Sequence, residues 1–223
     1  MPPRERKQPQ QARAHETVRA ILEATVQVLD REGLDAATTT RIAEVAGVSI
    51  GSLYQYFSHR DAILNALQDR EFERTLALMQ QVFADGNLDE VPVKTVRMAL
   101  RGLAELYMKS PGLHRVLAIE GLRVSKAEHV HAFDRRVIDL VRHFLSATRA
   151  PIRRTNIEAA AFLLYQSVRA TMLAFLLERP HGLDAEGLIE ELTGFVTGYL
   201  LKAQPESLTS EPDPGARARS AFP

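Results

Sequence analysis

Gly47-Val48-Ser49-Ile50-Gly51 spells G-x-S-x-G, the turn that presents a nucleophilic serine in α/β-hydrolases. That chemistry needs a strand before the serine, an oxyanion hole, and an acid and a histidine downstream. Here the residues ahead of Ser49 keep a helical beat, so acyl transfer is not expected. His129 and His131 are two residues apart, about 200° around a helix, whereas a helical zinc pair wants a spacing of four. They read as solvated or first-turn histidines. The chain has no cysteine, which removes disulfides, thiolate metal sites and cysteine nucleophiles together. It has no glycine-rich phosphate loop either, and no cofactor or metal is expected. What remains is a run of hydroxyls between Thr38 and Phe57: three threonines, Ser49, Ser52, Tyr54 and Tyr56.

Those hydroxyls sit on a recognisable frame. Arg41 to Ala46 and Ser49 to Phe57 read as two short helices around a glycine turn, a helix-turn-helix if three conditions hold. Ala43 is small where the helices must cross closely. Gly47 can take the left-handed conformation at the end of the first helix. Ile42, Ala46, Val48 and Leu53 can anchor both helices to a core. The second helix then turns Ser49, Ile50, Gly51, Ser52 and Tyr54 outward, small enough at its start to enter a major groove.

The rest of the chain must hold that frame. It has 223 residues, 45% of them hydrophobic and 25% charged, with 28 basic residues balancing 28 acidic ones. This is the composition of a soluble protein of one large domain or two modest ones. Val18, Ile21, Leu22, Thr25, Val28 and Leu29 keep a 3.6-residue spacing that Gly33 stops. Ser58 to Asp61 fits a capping box that opens a long helix, expected to break near Asp85-Gly86-Asn87. Pro92 suits the first turn of the next, which Pro111-Gly112 ends; a short helix follows over 113–119. Ser125 to Glu128 and Thr155 to Glu158 are two more capping boxes. Pro180 and Gly182 close the helix opened at 157, and Asp184 starts the last one. The expected fold is all-α, with about nine helices: a three-helix helix-turn-helix domain and a larger C-terminal helical bundle.

The ends and the apolar helix set the remaining expectations. Residues 1–14 hold Arg4, Arg6, Lys7 and Arg13 against Glu5 and read as a basic, mobile arm; residues 204–223 read as a disordered tail. Met1 to Gln8 lacks the apolar core of a secretory signal. The 157–177 stretch is interrupted by Glu158, Gln166, Ser167 and Arg169 and should not span a bilayer, so the chain reads as cytoplasmic. That helix is apolar nearly all round and needs cover on two sides, one of which a second copy of the chain can supply. Gly194 and Gly198, four apart on the last helix, suggest close backbone approach, in a dimer or in a tight crossing within one chain.

The ordered pattern Gly33, Thr38-Thr39, Ile42-Ala43, Ala46-Gly47-Val48-Ser49, Gly51, Leu53-Tyr54, Tyr56-Phe57 and Asp61 resembles the DNA-binding domain of the TetR family of bacterial transcriptional regulators. The resemblance covers roughly residues 15–75, with the motif at 38–57. It implies a ligand-responsive regulator, most often a repressor, that binds a palindromic operator as a homodimer joined by its last two helices. It assigns residues 76–203 to ligand binding and dimerisation. It also implies that Thr38 caps the first motif helix beside a DNA phosphate, that Thr40 touches DNA, and that Ser49, Ile50, Gly51 and Ser52 head the recognition helix. Tyr54 and Tyr56 would reach phosphates or base edges, with the body of Tyr54 partly in the core, and Arg60 would clamp a phosphate. Many relatives carry basic residues where this chain has Thr40 and Ile50, so specificity is expected to lean on Thr40, Ser52, the tyrosines and DNA shape.

An effector would lie among the helices of residues 93–178 and tilt the long fourth helix. Candidate lining residues are Met79, Phe83, Leu103, Tyr107, Phe133, Val137, Phe162, Tyr165, Gln166 and Arg169. For the apolar members, core packing competes with ligand contact. Gln166 and Arg169 need polar partners, either within the chain at Glu105 or Glu120 or on an anionic or carbonyl-bearing effector. The rival reading is an all-α binding or enzymatic bundle without specific DNA binding.

Overall fold

The computed structural model describes residues 7–86, 92–124, 127–149, 152 and 156–201. Among these, every regular element is a helix: α1 (Lys7–Arg31), α2 (Thr39–Ala46), α3 (Ile50–Tyr56), α4 (Arg60–Ala84), α5 (Val93–Lys109), α6 (Pro111–Val124), α7 (Ala127–Ala147), α8 (Ile157–Glu178) and α9 (Ala185–Leu201). The all-α expectation holds. The basic arm is corrected over residues 7–14, which are the opening turns of α1. The C-terminal tail and the capping residues Ser125 and Thr155 lie outside the described residues.

The first helices build a small core from positions the 3.6 period predicts. Ile21, Val28 and Leu29 of α1 meet Ile42 and Ala43 of α2, Leu53 of α3, and Ile63, Leu64 and Leu67 of α4, all buried. Gly33 takes φ +85° and donates to the Val28 carbonyl at 3.1 Å, closing α1. Two expected caps are corrected. His59, not Ser58, caps α4, its Nδ1 accepting from the Ala62 N–H at 3.2 Å. Asn156 caps α8, its Oδ1 accepting from the Ala159 N–H at 2.9 Å. At the far end of α8 the left-handed residue is Arg179 (φ +47°), one position before Pro180.

α6 departs most from expectation. It runs 14 residues rather than about seven, because its apolar residues serve two neighbours. Leu113 and Val116 are buried in the N-terminal core. Asp30, near the end of α1, caps α6: its Oδ1 accepts from Gly112 N–H at 2.7 Å and Leu113 N–H at 3.1 Å. A methyl group at Gly112 would lie 2.5 Å from the Leu29 carbonyl oxygen, so only glycine allows this approach.

α4 spans 25 residues, about 37 Å at 1.5 Å per residue, and links the small core to the larger bundle. There α4 to α9 enclose a cavity, with Leu100, Ala104, Met172, Leu188 and Leu192 packing on one side and Phe144, Ala161, Leu164, Val196 and Leu200 on another. By length and composition α8 could cross a membrane. Its inner residues Ala160, Ala161, Leu164, Met172 and Leu176 are buried, while Phe162 and Leu163 stay about half exposed. Methyl groups at Gly194 and Gly198 would meet nothing within 4 Å, so no crossing within the described chain requires these glycines.

Candidate functional site

The helix-turn-helix forms as its local chemistry dictates. Thr38 is extended and its hydroxyl accepts from the Arg41 N–H at 3.1 Å, capping α2. Gly47 sits at φ +67° and donates to the carbonyls of Ala43 and Glu44, which lets the chain turn sharply into α3. Ser49 caps α3, its hydroxyl accepting from the Ser52 N–H at 3.0 Å and lying 2.8 Å from the Ser52 hydroxyl. With a helix before it and a capping task, Ser49 has no hydrolase setting.

On this frame Leu53 is fully buried, while Ile50, Tyr54 and Tyr56 are 40%, 52% and 39% exposed. Thr40 and Gly51 are exposed and Ser52 is half-buried. The outer side of α3 is therefore rich in hydroxyls. Tyr54 Oη lies 3.1 Å from Thr39 Oγ1, a bond that steadies the ring across α2 and α3. A methyl group at Gly51 would meet only the Ser49 hydroxyl at 3.9 Å, so the fold itself does not require glycine there. The nearby cations are engaged. Arg41 pairs with Glu32 at 2.9 Å and Glu44 at 3.2 Å. Arg60 donates to the Leu34 carbonyl at 3.5 Å and lies 3.8 Å from Asp61.

The second site is the cavity of about 220 Å³. Eight of the ten expected lining residues border it: Met79, Phe83, Leu103, Tyr107, Phe133, Val137, Tyr165 and Arg169. Phe162 and Gln166 do not, and Phe162 is 51% exposed. The reason is helical register. α8 turns Leu164, Tyr165, Val168, Arg169 and Met172 to the cavity, and residues two positions either side of Leu164 point about 200° away.

Most of the wall is apolar or aromatic, with Phe72 stacked on Phe133 (ring centroids 4.0 Å) and Phe83 on Phe144 (4.8 Å). The partner expected for Arg169 is also corrected. It is Asp134, 3.9 Å from Arg169 Nε, and Asp134 in turn accepts a hydrogen bond from Tyr165 Oη. Burial, and next that bond, push the Tyr165 hydroxyl above its ordinary range. Glu120, an alternative partner, is bonded to Arg123 instead.

Sequence reasoning missed Glu71 and His114, which also line the cavity. Glu71 Oε1 accepts from Arg70 Nε at 3.2 Å and Arg74 Nη1 at 2.9 Å. His114 Nδ1 lies 2.9 Å from the Ser110 carbonyl oxygen. A carbonyl only accepts, so Nδ1 carries a hydrogen; burial disfavours the imidazolium, which leaves Nε2 without one. Burial holds this imidazole below its ordinary value. The available signal was Glu71 itself, a carboxylate in line with the inward positions Leu64, Leu67, Thr75 and Met79 of α4.

Known proteins share this architecture. Residues 21–67 match the family described as bacterial regulatory proteins, tetR family, and residues 93–200 match the tetracyclin repressor-like C-terminal domain. The chain belongs to the TetR family. Its TetR-type N-terminal match takes in the helix-turn-helix, and its C-terminal match takes in α5 to α9.

Two relatives give the range. The nucleoid occlusion factor SlmA of Actinobacillus pleuropneumoniae is 34% identical over 98 residues, 44% of this chain and 47% of that protein. The HTH-type transcriptional regulator BetI of Escherichia coli is 30% identical over 122 residues, 48% of this chain and 63% of that protein. The chain spans about half the length of the curated relatives it matches. Among solved TetR-like folds, the regulator FadR of Bacillus subtilis, in complex with stearoyl-CoA, superposes with a TM-score of 0.66 at 15% identity, over 81% of this chain and 98% of that one. A transcriptional regulator of Rhodococcus sp. RHA1 gives 0.63 at 23% identity, over 82% and 95%. At these identities the likeness is one of fold.

Proposed function

We propose that this protein is a cytoplasmic, ligand-responsive DNA-binding regulator, a repressor that holds a palindromic operator as a homodimer and releases it when a small, largely apolar effector enters the cavity. It acts by binding rather than catalysis. The observation that carries the reading is α3, anchored by buried Leu53 and presenting Ile50, Gly51, Ser52, Tyr54 and Tyr56 outward. Residues 15–75 form the DNA-binding domain on this reading, and residues 76–203 the effector and dimerisation domain.

Few long cationic side chains are free on that face, so Thr38, Thr40 and Ser49 approach phosphates or bases mainly through hydroxyls and backbone, and Arg60 reaches a phosphate only by leaving the Leu34 carbonyl. DNA shape then carries much of the specificity. Two helices can transmit effector binding. α4 is continuous from Arg60 to the cavity residues Met79 and Phe83. α6 carries His114 on the cavity and is capped by Asp30 of α1. An effector that fits only one placement of these helices changes operator affinity by its differential affinity for the two states, typically about 1–3 kcal/mol.

Selecting bound duplexes from a random pool tests this. The expected product is an inverted repeat with half-sites about 34–36 Å apart, bound with steep salt dependence. Indifference to every duplex would leave an all-α binding bundle in its place.

A further inference from the structure

One polar feature of the cavity is used neither by the packing nor by the DNA module. Glu71 Oε2 and His114 Nε2 are both buried, and neither has a hydrogen-bond partner among the described residues. They stand 3.8 Å apart, beyond hydrogen-bond reach. The side chains are 6% and 8% exposed, so bulk water does not serve them.

We propose that this pair receives the head of the effector, and that the head is a nitrogen donor with at least two hydrogens (an amine, an ammonium or a primary amide) on an apolar body. This rests on the cavity being the effector site. Both orphaned atoms are acceptors: Glu71 Oε2 belongs to a carboxylate, and His114 has committed its hydrogen to the Ser110 carbonyl. Burying two unmet acceptors is costly, and a donor that satisfies both removes that cost. A nitrogen with two hydrogens can bridge acceptors at this separation, each at about 2.9 Å. An alcohol has one hydrogen and leaves one acceptor unmet. A carboxylate has none and brings negative charge beside Glu71. Arg70 and Arg74 already hold Glu71 Oε1, so the site asks for donors before it asks for positive charge. The competing anchor is Arg169, which would take a carboxylate away from Asp134.

The cavity measures about 220 Å³, so short chains are the fitting probes. Calorimetric titration of the full chain without DNA would compare n-octylamine, octanamide, 1-octanol and octanoate. At least one nitrogen probe should bind about tenfold tighter than the alcohol and the carboxylate, and the tighter of the two reports whether the head is charged. In Glu71→Gln the new amide can donate to His114 Nε2 and close the pair internally, so all four probes should fall within about twofold. His114→Phe leaves Glu71 Oε2 as a single acceptor that one hydrogen satisfies, so the preference for nitrogen over alcohol should vanish while octanoate stays weakest; this variant serves if the first does not fold.

Equal binding of alcohol and amine would overturn the proposal and leave the pair to a water molecule. Tightest binding of octanoate would overturn it in favour of Arg169. A preference for nitrogen over alcohol that survives both substitutions would place its origin elsewhere. In these three cases the cavity remains the effector site. Binding of none of the four, with duplex binding intact, would remove the effector reading together with the proposal.

Discussion

At Gly47 the backbone is left-handed and a side chain would meet nothing within 4 Å, so replacement there costs conformation alone. Gly47→Ala should destabilise the fold by about 1–2 kcal/mol, read as a lower urea midpoint with unchanged slope. His114 gives a prediction of a different kind. Burial lowers its pKa from the ordinary 6.5, against the upward pull of the Ser110 carbonyl, Glu71 and Asp30, while Arg74 adds to the lowering. The unfolded chain therefore takes up a proton at higher pH than the native state does. Stability from this group is fully present above about pH 6.5 and is lost as pH falls through the lowered value. Melting temperatures between pH 7.5 and pH 5 should show this acid-side loss in the native protein and a flatter profile in His114→Phe. An identical slope in both would exclude His114 as its source.

Among elements, α6 couples the cavity to the DNA module by short contacts. Asp30→Ala removes the acceptor for two N–H groups at the start of α6 and should cost about 1 kcal/mol of stability. The larger effect belongs to communication. Effector binding should persist, while the effector-induced change in duplex affinity, typically about 5–150-fold in coupled systems, should shrink. An undiminished change would leave α4 as the sole lever. The length of α6 was not legible beforehand because Leu113 and Val116 face a core made by α1 and α4, far away in sequence. α4 was legible, since its period runs without a breaker from Asp61 to Ala84.

For the molecule as a whole, the last two helices keep large apolar side chains uncovered. Phe162 and Leu163 of α8 and Phe195 of α9 are 51%, 48% and 51% exposed, and Gly194 and Gly198 beside Phe195 leave open space. A second copy packing there would hold two α3 helices at a fixed spacing. Phe195→Glu should yield a monomer by sedimentation, with helical content retained by circular dichroism. Duplex affinity should fall at least about 100-fold as the second half-site contact is lost. A variant that stays dimeric would move the interface elsewhere.

What the chain order alone determined was much of what near neighbours govern, although the caps at His59 and Asn156 fell one residue from their expected places. The helical period, the left-handed glycine at position 47, the helix starts at Thr38 and Asp184, and the outward residues of α3 all depend on contacts within a few positions. Seven apolar or aromatic cavity residues could be named in the same way, because apolar stripes point inward, and Arg169 could be named because it interrupts one. Tertiary structure decided the rest. Whether Phe162 faces the cavity or solvent depends on how α8 is rotated against α7, which is set by packing rather than by the local period. That Arg169 meets Asp134, that Asp30 caps a helix more than eighty positions on, and that Glu71 Oε2 and His114 Nε2 face each other without a hydrogen bond are long-range juxtapositions. Side-chain type states what such groups need, and only the packed fold states whether they find it.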